Sequence, residues 1–421
     1  MICSVPFKNK KTKNFVLHFA FPSVFGNFVA AIQNLTFTFT KMTQFPIDKF
    51  LQWQTPFYYY DLGLLRRTLQ VINSHTADRP FAVHYAVKAN NNPLILREIA
   101  AAGLGADVVS GGEIRAAVEA GFPPERIVYA GVGKTDAEIR YALETGIHNF
   151  NVESLPELEV INTLAAGMGT TAPVALRVNP DIDAHTHRYI TTGTADNKFG
   201  IAIEDLPHAV DEARRLANIH LVGLHFHIGS QITQMQPFEM LCETVNRLLG
   251  DFARRGIRFE TVNVGGGLGI DYEHPDGHPV ADFDRYFGVF DSIRLDGGQS
   301  LHFELGRAVV AQCGTMVSRV LYVKESRNKC FAILDAGMNT LLRPALYQAH
   351  HSIQHLTPDT GRTETYDIVG PICESTDVFA RQECLPMLTR GDLVAFRSAG
   401  AYGESMASTY NLHPLPESHF S

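Results

Sequence analysis

One unit recurs eight times between residues 81 and 304: a short apolar run, a turn, an amphipathic stretch. The runs are FAVHYAVK (81–88), ADVVS (106–110), IVYAGV (127–132), IHNFNV (147–152), PVALRVN (173–179), HLVGLHFH (220–227), TVNVG (261–265) and LHFE (301–304). Between them lie helical patterns such as GEIRAAVEAG (112–121), DAEIRYALETG (136–146) and IEDLPHAVDEARRLA (203–217), most closing at or near a glycine able to cap them. Parallel strands need crossover connections, and eight strand and helix pairs in about 250 residues describe a (β/α)8 barrel better than an open doubly wound sheet. After residue 306 the rhythm stops. TMVSRVLYVKE, CFAILDAG, TYDIVG and DLVAFRSAG read as short strands between loops, the pattern of an antiparallel β domain. The expected organisation is an α/β fold with a TIM-type barrel over residues 61–305 and a mainly antiparallel β domain built from 42–60 and 306–421.

A chain of 421 residues with 45% hydrophobic content can bury cores of this size. Its net charge of −8 gives no basic footprint for nucleic acid or an anionic membrane, so small molecules are the expected partners. The six cysteines (Cys3, Cys242, Cys313, Cys330, Cys373, Cys384) lack CxxC spacing and read as reduced thiols of a reducing, cytoplasmic compartment. Residues 1–41 differ from the rest. Lys8, Lys10, Lys11 and Lys13 precede an apolar run from Phe15 to Ile32, the order of charges and apolar residues in a signal peptide. His18, Pro22 and Asn27 interrupt that run and make it a poor membrane span. The preferred reading is an extension outside the fold, with translation starting at Met42, where MTQFPIDKFLQWQTPF opens an ordinary sequence.

In a (β/α)8 barrel the active site lies at the C-terminal ends of the strands. The polar residues collect there: Lys88, Ser110, Glu153, Asn179, His227, the glycines from Gly265, and Glu304. A lone lysine at a strand end also snorkels into water, but in this company Lys88 reads as pointing into the barrel mouth. A desolvated lysine amine can carry an aldehyde cofactor covalently, and pyridoxal phosphate, the most common one, also requires a phosphate cradle and a partner for its ring nitrogen. GGGLG (265–269) lets backbone N–H groups approach a phosphate, and Ser230 adds a hydroxyl. The glycine spacing does not match GxGxxG, which argues against a nicotinamide site here. Glu304 ends an apolar strand, where an unpaired charge is costly; it either meets the cofactor's ring nitrogen or forms an ion pair with Arg307 or another internal base. His225 and His227 are two apart and share a strand face. HFH is also a zinc-ligand spacing of metal-dependent barrel hydrolases, yet the other strand ends offer Lys88, Ser110, Glu153 and Asn179 rather than further His or Asp ligands. His227 is better used stacked on a flat cofactor, and no metal is expected.

Across residues 50–415 the chain resembles the fold-type III pyridoxal-phosphate decarboxylase family, and within it the meso-diaminopimelate decarboxylases. The matching segments are YAVKAN, DVVSGGE, AGVGKTDAEI, RVNPDIDAHTH, NKFGI, GLHFHIGSQI, GGGLGI, ELGR, DAGMNTLLRPALY, GPICES and SAGAYG. Several recur in ornithine and arginine decarboxylases; RPALY, PICES and GAYG together are more specific. Leu305 departs from the family, which usually has proline there, and residues 1–41 have no counterpart in it.

That resemblance implies decarboxylation of diaminopimelate to L-lysine and CO2 with pyridoxal 5'-phosphate. Lys88 would carry the cofactor, His227 stack on its ring, Glu304 pair with the ring nitrogen, and Ser230, Gly266, Gly267 and Tyr402 hold the phosphate, with Gly265, Gly306 and Arg307 in the same cofactor site. Arg307, Arg343, Tyr347, Glu374 and Tyr402 would bind substrate, and Cys373 return a proton. A substrate with an amino acid at each end needs a cation for the remote carboxylate and an acid for the remote ammonium, which Arg343 and Glu374 can supply. Without the family, Arg343 and Tyr347 read as a solvated helical face and Cys373 as a small buried hydrophobe. The resemblance also implies a head-to-tail homodimer in which the β domain of a second subunit completes each site. Two other readings are carboxynorspermidine decarboxylation and a non-catalytic pyridoxal-phosphate carrier; such carriers usually lack the β domain.

Overall fold

The computed structural model describes residues 45–183, 198–357 and 361–421. The expected extension over 1–41, the start at Met42 and parts of RVNPDIDAHTH and NKFGI lie outside these residues.

The first strand, β1 (Phe57–Tyr60), is buried throughout and joins the second sheet described below. Asp61 ends it and caps the next helix, Leu62–Thr76, its carboxylate accepting the Leu64 N–H at 2.8 Å. The chain then lays down β2 (Phe81–Ala86), β3 (Gly105–Val108), β4 (Ile127–Tyr129), β5 (Asn149–Val152), β6 (Ala172–Asn179), β7 (Ile201–Ala202), β8 (Ile219–Phe226), β9 (Thr261–Asn263) and β10 (Ser300–Leu305). Around the barrel the order is β5-β4-β3-β2-β10-β9-β8-β6, and β6 pairs back onto β5 to close eight parallel strands. These are the eight predicted runs. The two-residue β7, which periodicity cannot show, pairs outside the closed ring with β6. Between strands the helices carry the caps their sequences announce: Thr135 and Glu138 form a reciprocal capping box on Asp136–Thr145, which Gly146 ends at φ 72°.

Five strands, β2, β3, β4, β8 and β9, stop sooner than their apolar runs. Lys88 sits in a 3-10 turn, Val87–Ala89, just past β2, and Ser110 is the N-cap of the helix Gly111–Ala120, its hydroxyl accepting the Glu113 N–H. Inside the barrel, where branched aliphatics usually stack in layers, β5, β8, β9 and β10 bury Asn149, Asn151, His225, Asn263, His302 and Glu304. At the end opposite Lys88, His84 and His302 form a chain within a cavity of about 440 Å3 that His148 also lines. His84 Nδ1 lies 3.0 Å from the Arg126 carbonyl and must donate, which leaves its Nε2 to accept from His302 Nδ1 at 3.0 Å. His302 Nε2 then accepts from the Ser300 hydroxyl at 2.9 Å.

The second sheet comprises β11 (Gly314–Ser326), β12 (Lys329–Leu334), β13 (Ile353–His355), β14 (Thr363–Val369), β15 (Val378–Pro386), β16 (Leu393–Phe396) and β17 (Glu417–Phe420), with β1. Its path is β13-β16-β11-β12-β14-β15, antiparallel except for β12 with β14; off the path, β1 pairs antiparallel to β11 and parallel to β17. β11 is longer than the short strands expected there, with thirteen residues. The loop after β16 reaches the Lys88 turn: the Tyr402 N–H donates to the Ala89 carbonyl at 2.7 Å and the Ser405 hydroxyl to the Lys88 carbonyl at 3.0 Å. Asn90 donates to the Gly400 carbonyl at 2.9 Å. No helix of the described residues is long and apolar enough to cross a membrane.

Candidate active site

A cavity of about 500 Å3 opens at the C-terminal mouth of the barrel, and Lys88, Asp107, His227, Glu304, Arg307 and Tyr402 are among the residues lining it. Lys88 Nζ lies 2.9 Å from Oδ2 of Asp107, which β3 holds fully buried. Burial alone would lower the amine's pKa; the Asp107 carboxylate, with Tyr402 and Glu304, outweighs it and raises the pKa instead. Burial and the field of Glu304 raise the pKa of Asp107.

Glu304 points inward from β10. Its Oε1 accepts from Asn151 Nδ2 at 2.9 Å and from Asn263 Nδ2 at 2.8 Å, and its Oε2 lies 3.0 Å from His225 Nε2. Of the two readings open for this carboxylate, the internal base it meets within the chain is His225 and not Arg307. Burial pushes its pKa up, but His225, Lys88 and His227 together hold it well below the usual carboxylate range. His227 follows β8, and its Nδ1 accepts the Gly266 N–H at 3.2 Å. Burial first, then Arg177 and Lys88, push its pKa down to about 3, so the ring is neutral at pH 7.

The glycine loop after β9 needs its glycines for space. A Cβ on Gly266 would stand 1.9 Å from the Glu304 carbonyl oxygen, and one on Gly267 2.7 Å from that of Gly229, at φ 108°. Gly265, at φ 71°, donates its N–H to Asn263 Oδ1 at 2.9 Å. The Ser230 hydroxyl accepts from Arg307 Nη2 at 3.0 Å, and Arg307 Nη1 donates to the Tyr272 hydroxyl at 2.7 Å. The Arg307 guanidinium lies 5.0 Å from the centre of the Tyr402 ring, its buried Nε without a partner among the described residues. Tyr402 holds its position at φ 56°, a strained backbone for a side chain of this size, and Gly306 lines the cavity between Glu304 and Arg307.

Arg343 and Tyr347 lie on a short helix, Arg343–Tyr347. Tyr347 lines the cavity, but Arg343 is no solvated face: it is 4% exposed, donates through Nη1 to His351 Nε2 at 2.7 Å, and lies 4.7 Å over the Tyr272 ring. His351 Nδ1 donates to the Arg397 carbonyl at 2.9 Å, and burial, then Arg343, push its pKa down to about 3, so its Nε2 is left as the acceptor. Cys373 and Glu374 are exposed rather than buried, and neither lines the cavity of its own chain. The Cys373 N–H donates to Asn411 Oδ1 at 3.0 Å, and Glu374 accepts from the Tyr410 hydroxyl at 2.5 Å.

Sequence reasoning missed several members. Asp107, Asn151 and Asn263 each sit inside an apolar run on the inward register, a signal that was available in ADVV, NFNV and TVNV. Arg177, which pairs with the buried Glu153 at 2.6 Å, is similarly legible in ALRVN. Tyr272 lies between Arg307 and Arg343, whose charges overcome the effect of burial and lower its pKa, but it comes from a loop with no periodicity to mark it.

Residues 62–311 match the model of the pyridoxal binding domain of pyridoxal-dependent decarboxylases. A diaminopimelate decarboxylase of Bacteroides thetaiotaomicron is 58% identical over 379 residues, 90% of this chain and 98% of that protein. One from Zymomonas mobilis is 45% identical over 86% of this chain and 87% of its own. Among solved structures, diaminopimelate decarboxylase from Helicobacter pylori complexed with L-lysine superposes with a TM-score of 0.84 at 39% identity, covering 89% of this chain and 93% of that one. By sequence along nearly its whole length, and by fold, the chain belongs to the pyridoxal-dependent decarboxylases, in the diaminopimelate decarboxylase family.

Proposed function

We propose that the protein decarboxylates meso-2,6-diaminopimelate to L-lysine and CO2, the last step of lysine biosynthesis, with pyridoxal 5'-phosphate as cofactor. What carries this reading is one cavity that joins an amine, a locked carboxylate and a glycine loop at a barrel mouth, in a chain 58% identical to a diaminopimelate decarboxylase over 98% of that protein. The residues fit the cofactor: Gly266 and Gly267 let the loop lie tight against the Glu304 and Gly229 carbonyls, where a Cβ would collide, Gly267 lines the cavity, and Arg307 keeps a buried Nε without a partner among the described residues. Lys88 would hold the cofactor, the neutral ring of His227 would lie on its face, Glu304 would meet its ring nitrogen, and Ser230, Gly265, Gly266, Gly267, Gly306, Arg307 and Tyr402 would surround its phosphate. When bound, the cofactor supplies an electron sink for the charge left behind as CO2 departs.

The chain's own residues do the rest. Asp107 keeps the Lys88 amine inside the cavity, and Arg307 and Tyr347 flank the space for substrate. Arg343, pinned by His351 and stacked on Tyr272, offers a fixed guanidinium for the remote carboxylate. Glu374 would take the remote ammonium and Cys373 deliver the proton that replaces CO2. Because both are exposed and away from their own chain's cavity, they would enter the site of a second subunit, in a head-to-tail homodimer with shared sites. Cytoplasmic placement follows the same reading, supported by the five described cysteines, all free thiols. Incubation of the purified protein with pyridoxal phosphate and meso-diaminopimelate should release CO2 and L-lysine in equal amounts. Absence of L-lysine, or a preference for ornithine or arginine, would overturn the reading.

A further inference from the structure

We infer that Asn151 and Asn263 are positioning residues for the reaction: their side-chain amides clamp Glu304 as a carboxylate, so that the proton shared with the cofactor resides on the ring nitrogen. The inference rests on the proposed function, in which Glu304 meets that nitrogen, and extends it to two residues that line no part of the cavity.

The geometry leaves little freedom. An ionised carboxylate only accepts, so each asparagine facing Glu304 Oε1 must present Nδ2. For Asn263 a backbone contact fixes the same orientation: its Oδ1 accepts the Gly265 N–H at 2.9 Å, which turns its Nδ2 toward Glu304 at 2.8 Å. Asn151 is oriented by the carboxylate itself, with Nδ2 on Glu304 at 2.9 Å, and its Oδ1 then accepts from Asn149 Nδ2 at 2.9 Å. Asn149 and Asn151 are two apart on β5 and share the inward face, and all three asparagines are buried, with exposures of 3%, 0% and 3% for Asn149, Asn151 and Asn263. Oε1 is thereby saturated with two donors, and Oε2 takes His225 Nε2. One acceptor direction on Oε2 is left, and Glu304 lines the cavity.

Donors to the charged form of a carboxylate lower its basicity. A carboxylate with three of them is a poor resting place for the shared proton, which is left on the ring nitrogen, where it makes the ring a stronger electron sink. Asn263 adds a mechanical link. It bonds Glu304 with one end and the glycine loop with the other, and the Glu304 N–H donates to the Gly265 carbonyl at 2.9 Å. The ring-nitrogen partner and the phosphate cradle are thus set in one register.

The test uses holoenzyme reconstituted with pyridoxal phosphate carrying 15N in the ring. Asn151→Leu and Asn263→Leu are compared with wild type by 15N NMR, by kcat and KM for meso-diaminopimelate, and by thermal unfolding. In wild type the ring nitrogen should resonate as a pyridinium. In Asn151→Leu the signal should move toward neutral pyridine and kcat fall about tenfold, the worth of one hydrogen bond to a charged group, with KM little changed. Asn263→Leu should show the same shift and also weaker cofactor binding, because the Gly265 N–H loses its acceptor. Asn151→Leu keeps the test decisive if the loop cannot form in the other variant. Cofactor-loaded Asn151→Leu with an unmoved 15N signal, or a kcat loss matched only by a loss of thermal stability, would overturn the clamp and leave the proposed function standing. A wild-type protein that takes up no cofactor would overturn both.

Discussion

The histidine chain at the base of the barrel makes the fold sensitive to acid. His84 Nδ1 donates to the Arg126 carbonyl and its Nε2 accepts from His302, so both ring nitrogens are engaged in the neutral form. A proton added to Nε2 would face the His302 N–H, and relief requires His302 to pass its own proton toward Ser300. Burial, reinforced by His148, accordingly pushes the His84 pKa down to about 4, and burial lowers His148 and His302 as well. With an unfolded value near 6.5, the unfolded chain binds more protons than the folded one between those limits, so stability present at neutral pH is lost as pH falls through that window. From pH 7 to pH 5, His84 alone accounts for about 2 kcal/mol. The measurement is urea unfolding at both pH values for wild type and for His84→Gln, whose amide can donate to Arg126 and accept from His302 but cannot titrate. The variant should lose about 2 kcal/mol less than wild type over the same interval. Equal losses in the two proteins would show that the chain does not exclude protons and that the reasoning is wrong.

Gly266→Ala places a methyl 1.9 Å from the Glu304 carbonyl, where only a shift of the loop backbone can relieve it. It should destabilise by about 2 kcal/mol or more and weaken pyridoxal phosphate binding; unchanged melting and cofactor titration curves would refute the collision. Shared sites predict complementation between chains. Lys88→Ala and Cys373→Ala proteins, each nearly inactive alone, should recover about a quarter of wild-type sites after random subunit exchange, since mixed dimers hold one site with both defects and one with neither. Activity that stays at the summed background after confirmed exchange would assign Cys373 a role within its own chain.

How far the site can be read from the chain depends on how local its determinants are. Lys88, His227 and the Gly265–Gly267 loop were legible because each directly follows a barrel strand on the side where the mouth opens, and Glu304 because it is the inward polar residue nearest the end of β10, whatever their distant neighbours are. Asn151, Asn263 and His225 obey the same rule one layer deeper; they were readable as inward polar positions, but their convergence on Glu304 is not, because it depends on β9 pairing beside β10, β8 lying next along and β5 standing opposite across the barrel. Exact strand ends were less secure: Val87 and Lys88 continue the apolar alternation, yet the turn that carries them is set by Tyr402 and Ser405 reaching back from more than 300 residues away. Arg343 shows the limit most clearly. Four residues from Tyr347 on a short helix, it matched a solvated face by spacing alone, and what buries it is Tyr272 and His351, one from a loop after the glycine stretch and one past the helix end. Cys373 lies at the opposite extreme. Its type suggested burial, the fold exposes it, and no periodicity within one chain could have said so, because the groove it is proposed to enter belongs to another copy.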